Sequence, residues 1–170
     1  EKKKLKIDYP PEHVIDKQTV LKNLEKHKSD SYVMWLDHAS FIIKLGNTTI
    51  ITDPVFEKNY GPMVFGPKKY IESPLTLKEL PKIDLFLLTH NHYDHMSIRT
   101  IKNFPYKNTK VLVPLKLGKY FTKNGYKKDT VKEMDWFDKI KINNEITVTM
   151  LPSQHCLLYT SDAADDLVGV

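Results

Sequence analysis

Apolar and polar positions follow two different periods along the 170-residue chain. Between Asp16 and Lys28, Val20, Leu21 and Leu24 recur at helical spacing in a polar background, and Asp16 is placed to cap the first turn, so the pattern predicts a short helix. The period then shortens. Tyr32–Leu36, Phe41–Leu45 and Thr48–Thr52 are rich in β-branched and aromatic residues and read as strands, the last two joined by the hairpin link Gly46-Asn47. Asp53-Pro54 ends the third strand. The stretch beyond it is punctuated by Gly61-Pro62 and Gly66-Pro67 and carries Phe56, Tyr60, Phe65 and Tyr70. That predicts a long aromatic loop, of the kind that either carries function or packs its rings onto the core. Leu85-Phe86-Leu87-Leu88 is apolar without alternation, as a strand covered on both faces should be. Helices are predicted over Ile98–Phe104 and Leu117–Lys123, the second stopped by Gly125, and strands at Val111–Val113, Val131–Met134, Ile140–Ile142 and Ile146–Leu151. A strand meander followed by alternating strands and helices predicts sheet layers covered by helices, an α+β arrangement.

Composition narrows the picture. With 41% apolar and 11% aromatic residues the chain exceeds what a disordered segment carries, and its single cysteine excludes an internal disulfide. No apolar run approaches the roughly 20 residues a membrane-spanning helix needs. Lys and Arg number 26 against 21 acidic residues, but Arg99 is the only arginine. Lysine is a hydrated point charge and a poor bidentate reader of phosphates or bases, and these lysines are scattered. That favours an ordinary solvated surface without a specific nucleic-acid partner, and leaves a weak attraction to anionic lipid or nucleic acid as the minority reading.

The chemistry gathers in Thr89-His90-Asn91-His92-Tyr93-Asp94-His95, directly after the buried strand, at the strand end where α/β sheets place ligand crevices. His90 and His92 are two apart and project to one side of an extended segment, so they can ligate one metal ion. Asp94 and His95 lie where the chain turns towards the next helix; they are expected to point away from the first pair and to suit a second ion. Imidazole and carboxylate donors fit zinc, with iron or manganese as alternatives.

His90-x-His92-x-Asp94-His95 resembles the signature of the metallo-β-lactamase superfamily, and further landmarks follow in order. Trp35-Leu36-Asp37-His38-Ala39-Ser40-Phe41, Thr52-Asp53-Pro54-Val55-Phe56, Phe65-Gly66-Pro67-Lys68-Lys69-Tyr70, Val113-Pro114-Leu115, Glu133-Met134-Asp135-Trp136 and Pro152-Ser153-Gln154-His155 are similar to the branch that contains the N-acylphosphatidylethanolamine-hydrolysing phospholipase D. The resemblance runs from about Tyr32 to His155. It implies an αββα sandwich with a dinuclear zinc site at one edge, of which this chain supplies the N-terminal portion. His90, His92 and His155 would hold one ion, Asp94 and His95 would begin the second site, and Asp53 would orient a ligating histidine. His38 is expected to be a hydrogen-bonded core histidine without a metal. The branch usually has glycine where this chain has Asp37, a residue that tolerates a positive φ better than most.

The resemblance implies a metal-dependent hydrolase of the phospholipase D kind, a phosphodiesterase using a metal-bound hydroxide, with Asp94 holding one ion and helping to orient the nucleophile. A lactone or phosphorylated-sugar hydrolase of the same fold is the alternative, and a non-catalytic metal-binding relic is the reading from another class. The expected partner is a small-molecule or phospholipid substrate, with peripheral contact to a membrane, and the expected location is the cytoplasm or a membrane surface.

After His155 the pattern changes. Cys156 to Asp165, Cys-Leu-Leu-Tyr-Thr-Ser-Asp-Ala-Ala-Asp, is residue for residue one reading frame of the transposase adapter used in short-read DNA libraries. Such scars are excluded from fold reasoning. The expected organisation is therefore an N-terminal segment with a short helix (1–31), an incomplete metallo-β-lactamase-fold domain (32–155) and a non-native tail (156–170). The bridging aspartate and last histidine of the family are not recognisable here. The chain on its own is accordingly expected to be inactive and to bind metal poorly.

Overall fold

The computed structural model describes residues 14–61, 66–69 and 71–152. A helix, α1 (Lys17–Lys26), comes first, and Asp16 caps it by accepting from the Thr19 amide at 3.0 Å. Three strands follow as an antiparallel meander: β1 (Tyr32–Asp37), β2 (Ser40–Leu45) and β3 (Thr48–Thr52). The chain then alternates: β4 (Leu85–Leu87), α2 (Ile98–Asn103), β5 (Lys110–Pro114), α3 (Gly118–Thr122) and β6 (Val131–Met134). The six strands form one sheet in sequence order, with β3 to β6 parallel to one another. A separate antiparallel hairpin, β7 (Lys139–Lys141) and β8 (Thr147–Thr149), ends the described fold. Each predicted helix and strand is present within a few residues of its expected bounds. The 3-10 turns at Leu77–Glu79 and Lys128–Thr130 were not predicted, because three residues are too few to show a period.

The sheet separates two apolar layers. On one face Ile42, Ile51, Phe86, Val111 and Val113 pack with Ile101 and Phe104 of the α2 region and Phe121 of α3. Phe86 is the centre of that layer: its ring meets Phe104 and Phe121 edge-on at 5.3 and 5.1 Å, arrangements worth about 0.5–1.5 kcal/mol each beyond area burial. On the other face Ile50, Leu85, Leu112 and Met134 are covered by Ile140, Ile142, Val148 and Met150 from the terminal hairpin. That cover is partial, since Val33 and Trp35 on β1 remain 67% and 50% exposed. The described part is thus one helix-covered sheet with the start of a second β layer. Among the described residues no helix is long and apolar enough to cross a membrane.

Register brings three distant segments to one sheet edge. Thr52 at the end of β3 pairs with Leu87 at the end of β4, and Phe41 near the start of antiparallel β2 pairs with the same Thr52. The β1–β2 turn at His38-Ala39, Asp53 after β3 and the segment after β4 therefore share that edge.

Candidate metal centre

Asp53 organises this edge. Its backbone has a φ of 40°, a left-handed conformation that a residue without a local reason avoids, and its amide donates to the Leu87 carbonyl at 3.0 Å. This aims the side chain, 2% exposed, into the start of the histidine segment. The Thr89 amide donates to Asp53 Oδ1 at 2.7 Å, and the Thr89 hydroxyl donates to Oδ2 at 2.6 Å. His95 Nδ1 donates to the same Oδ2 at 2.8 Å.

These bonds fix a hydrogen on Nδ1 of two histidines. A carboxylate has no proton to give, so His95 carries a hydrogen on Nδ1 and turns Nε2 away from Asp53. The single Thr89 hydroxyl proton is committed to Asp53. Where that oxygen meets His90 Nδ1 at 2.9 Å it must therefore accept, so His90 also carries a hydrogen on Nδ1. A histidine anchored through one ring nitrogen is oriented to ligate a metal ion through the other.

The segment does not stay extended through Asp94 and His95. The amides of His95 and Met96 both donate to the His92 carbonyl, at 3.0 and 2.7 Å, closing a turn. The rings of His90 and His92 stand edge-on 4.6 Å apart. The turn also returns the His95 ring to within 4.0 Å of His90, so His95 lies beside the first pair instead of pointing away from it. Asp94 faces the β1–β2 turn, where its Oδ2 is 2.8 Å from His38 Nε2 and 3.7 Å from His95 Nε2. Burial pushes the Asp94 carboxyl up, but a backbone amide, the neighbouring His95 and the His38 hydrogen bond together outweigh it, and the group lies below the usual carboxylate range. His155 and the tail 156–170 lie outside the described residues.

His38 corrects an expectation. It is not a core histidine: its side chain is 44% exposed, and the residue has a left-handed φ of 38°. The turn holds it there through the Trp35 indole N–H, which donates to the His38 carbonyl at 2.9 Å. The positive φ falls at His38, one residue beyond Asp37. Asp37 does something else. Its Oδ2 lies 2.6 Å from Lys69 Nζ, with both side chains almost fully buried, and Lys69 also donates to the Val55 carbonyl. Burial raises the Asp37 carboxyl and the Lys69 charge opposes that rise.

Lys69 thereby ties the long loop to the turn that carries His38. The loop is necked by an antiparallel bridge between Asn59 and Lys68, and Tyr60 donates its amide to the Pro67 carbonyl at 2.9 Å. Gly66, at φ 107°, is required there: a Cβ would lie 1.9 Å from the Tyr60 carbonyl oxygen. The Tyr60 ring stacks at a tilt 5.2 Å from His38 and lies under the Lys69 ammonium at 5.3 Å. Burial, then the charges of Asp37 and Asp94, push its hydroxyl well above the usual range, so it stays protonated. Tyr60 and Pro67 form one wall of an open cleft of about 460 Å³; Asn91, His92, Tyr93 and Asp94 form the other. Sequence reasoning placed Tyr60 and Lys69 only in an aromatic loop, because nothing in their spacing shows which turn the loop meets.

The fold and this edge define the class. The family model described as the β-lactamase superfamily domain matches residues 48–169, well over half of the chain, and the protein belongs to that family. Among its relatives, N-acyl-phosphatidylethanolamine-hydrolyzing phospholipase D 1 of Caenorhabditis elegans is 33% identical over 137 residues, covering 75% of this chain and 38% of that protein. A UPF0173 metal-dependent hydrolase of Caldivirga maquilingensis is 32% identical over 124 residues, covering 73% of this chain and 48% of that one. Among solved structures, CmlA, a diiron β-hydroxylase from Streptomyces venezuelae, superposes with a TM-score of 0.54 at 27% identity, over 73% of this chain and 24% of its own. The chain spans less than half the length of the curated relatives named here.

Proposed function

We propose that the parent protein is a metal-dependent hydrolase of the metallo-β-lactamase fold that cleaves lipid phosphodiesters in the manner of a phospholipase D, and that the present chain alone is inactive. The observation that carries this reading is the convergence of His38, Asp94 and His95 donor atoms beside His90 and His92, against a cleft walled by Tyr60 and Tyr93. The donor chemistry fits a metal: imidazoles anchored through Asp53 and Thr89, and a carboxylate held ionised. His90, His92 and His155 would hold one ion and Asp94 and His95 the second. Zinc suits this set, and iron is the named metal of the CmlA relative. Bound there, the ions would lower the pKa of water and offset charge developing on the phosphoryl oxygens.

The residues of the chain supply the rest. Asp53 fixes the direction of His95, and Asp94, held ionised, orients the attacking water. The protonated Tyr60 hydroxyl and the Asn91 amide line the cleft as hydrogen-bond donors for a phosphoryl oxygen. Tyr93, 60% exposed, offers an apolar face to a lipid headgroup region. The water oxygen bonds to phosphorus, and the headgroup alkoxide leaves and takes up a proton. The similarity to a phospholipase D supports the substrate class, and peripheral contact with a membrane surface follows from it.

The test is a substrate panel on the intact parent: N-acylphosphatidylethanolamine in mixed vesicles, lactones, phosphorylated sugars and nucleic acids. Turnover of the phospholipid with release of phosphatidic acid is expected. Turnover of lactones alone would transfer the site to the alternative hydrolase reading.

A further inference from the structure

We propose that His38 is a metal ligand, completing with Asp94 and His95 a three-residue site that lies wholly within this chain. Among the described residues these three form the group whose donor atoms all lie within 4.8 Å of one another. Both imidazole Nε2 atoms face the same carboxylate oxygen, at 2.8 Å from His38 and 3.7 Å from His95. The two rings are edge-on at 5.4 Å, an arrangement that lets both nitrogens converge without the rings stacking. His95 already has Nδ1 engaged by Asp53, so its Nε2 is the donor that faces inward.

The backbone supports a ligand role over a packing role. His38 occupies a left-handed conformation that costs a non-glycine residue energy, at an exposed turn where its side chain contributes little to the core. The same turn is anchored from three sides. The Trp35 indole donates to the His38 carbonyl, the Thr52 hydroxyl donates to the Ala39 carbonyl, and the buried Asp37–Lys69 pair fixes the residue before it. A ligand carried on such a turn is pre-organised. Asp94 and His95 alone would be two ligands, too few to hold an ion well. His38, recruited from 56 positions earlier in the chain, removes that shortage.

This inference shares the family's metal chemistry but does not rest on the phospholipid substrate. Its test is a titration of the 170-residue chain with zinc alone, followed by competition with a chromophoric chelator, and the absorption spectrum of the cobalt-substituted form. His38→Asn and His38→Gly both accept a positive φ, so at least one should keep the fold, checked by circular dichroism of the metal-free protein. The chain should bind zinc, and both folded variants should lose affinity for one ion by at least about 100-fold, beyond the roughly 10–100-fold that loss of an orienting neighbour costs. The cobalt spectrum should change in band position as one nitrogen donor is lost. A smaller loss with an unchanged spectrum, or no zinc binding by the parent chain, would overturn the site. Zinc binding through His38 in a parent protein that hydrolyses no phosphodiester would overturn the substrate reading and leave the site standing.

Discussion

Asp53 and His95, 42 positions apart in the chain, meet through a 2.8 Å hydrogen bond that decides which nitrogen of the histidine faces the cleft. The carboxylate is itself fixed by the Thr89 amide and hydroxyl, and Thr89 passes the constraint on to His90. One buried acid thus orients two imidazoles through four hydrogen bonds.

Removing that acid should loosen the centre without removing any proposed ligand. Asp53→Ala is expected to lower metal affinity by roughly 10–100-fold, and Asp53→Asn, which keeps one carbonyl acceptor, by less. Calorimetric titration with zinc reads both. Equal affinity in parent and Asp53→Ala would mean that His95 is held by something other than this bond.

The buried pair of Asp37 and Lys69 should behave differently. Both side chains are almost inaccessible, at 3% and 2%, so removing one partner strands a charge. Lys69→Met is expected to cost about 3–5 kcal/mol in urea unfolding, while Asp37→Leu combined with Lys69→Met should recover most of the loss. A Lys69→Met variant as stable as the parent would show that the pair does not hold the loop against the turn.

These two pairs also show what the sequence could and could not disclose. The strand Leu85–Leu87 and the histidines after it are contiguous, so hydrophobic pattern and ligand spacing locate them directly. Asp53 is a lone acid before a proline, and only the resemblance to a family pointed to it. His38 reads in the sequence as a hydrogen-bonded core histidine, because such a residue needs no metal, yet its side chain is 44% exposed. A period-2 pattern does not show that the residue itself sits on the two-residue turn between strands. The Asp37–Lys69 pair joins positions 32 apart across a loop with no period of its own, and its partners are fixed by tertiary packing alone.

Glu79 gives the fold a pH dependence of known sign. The Lys17 ammonium, then the Thr76 amide and hydroxyl, hold its carboxyl down from 4.5 to about 2. A depressed acid contributes stability that is complete above its unfolded value and is lost as pH falls from about 4.5 to about 2. Lys17 is exposed and Glu79 half-buried, so salt should weaken the effect. Thermal melts of the parent and Glu79→Gln should therefore converge as pH falls through that window. A difference that persisted at the acid end would place the effect of the substitution elsewhere.

The most direct measurement of the central claim follows the oxygen. The intact parent should hydrolyse N-acylphosphatidylethanolamine vesicles in ¹⁸O-labelled water, with and without a chelator, and the products should be weighed by mass spectrometry. Label is expected in the phosphate of phosphatidic acid and none in the released alcohol. Turnover should be lost with the chelator and restored by zinc. Label in the alcohol, or turnover indifferent to the chelator, would contradict it.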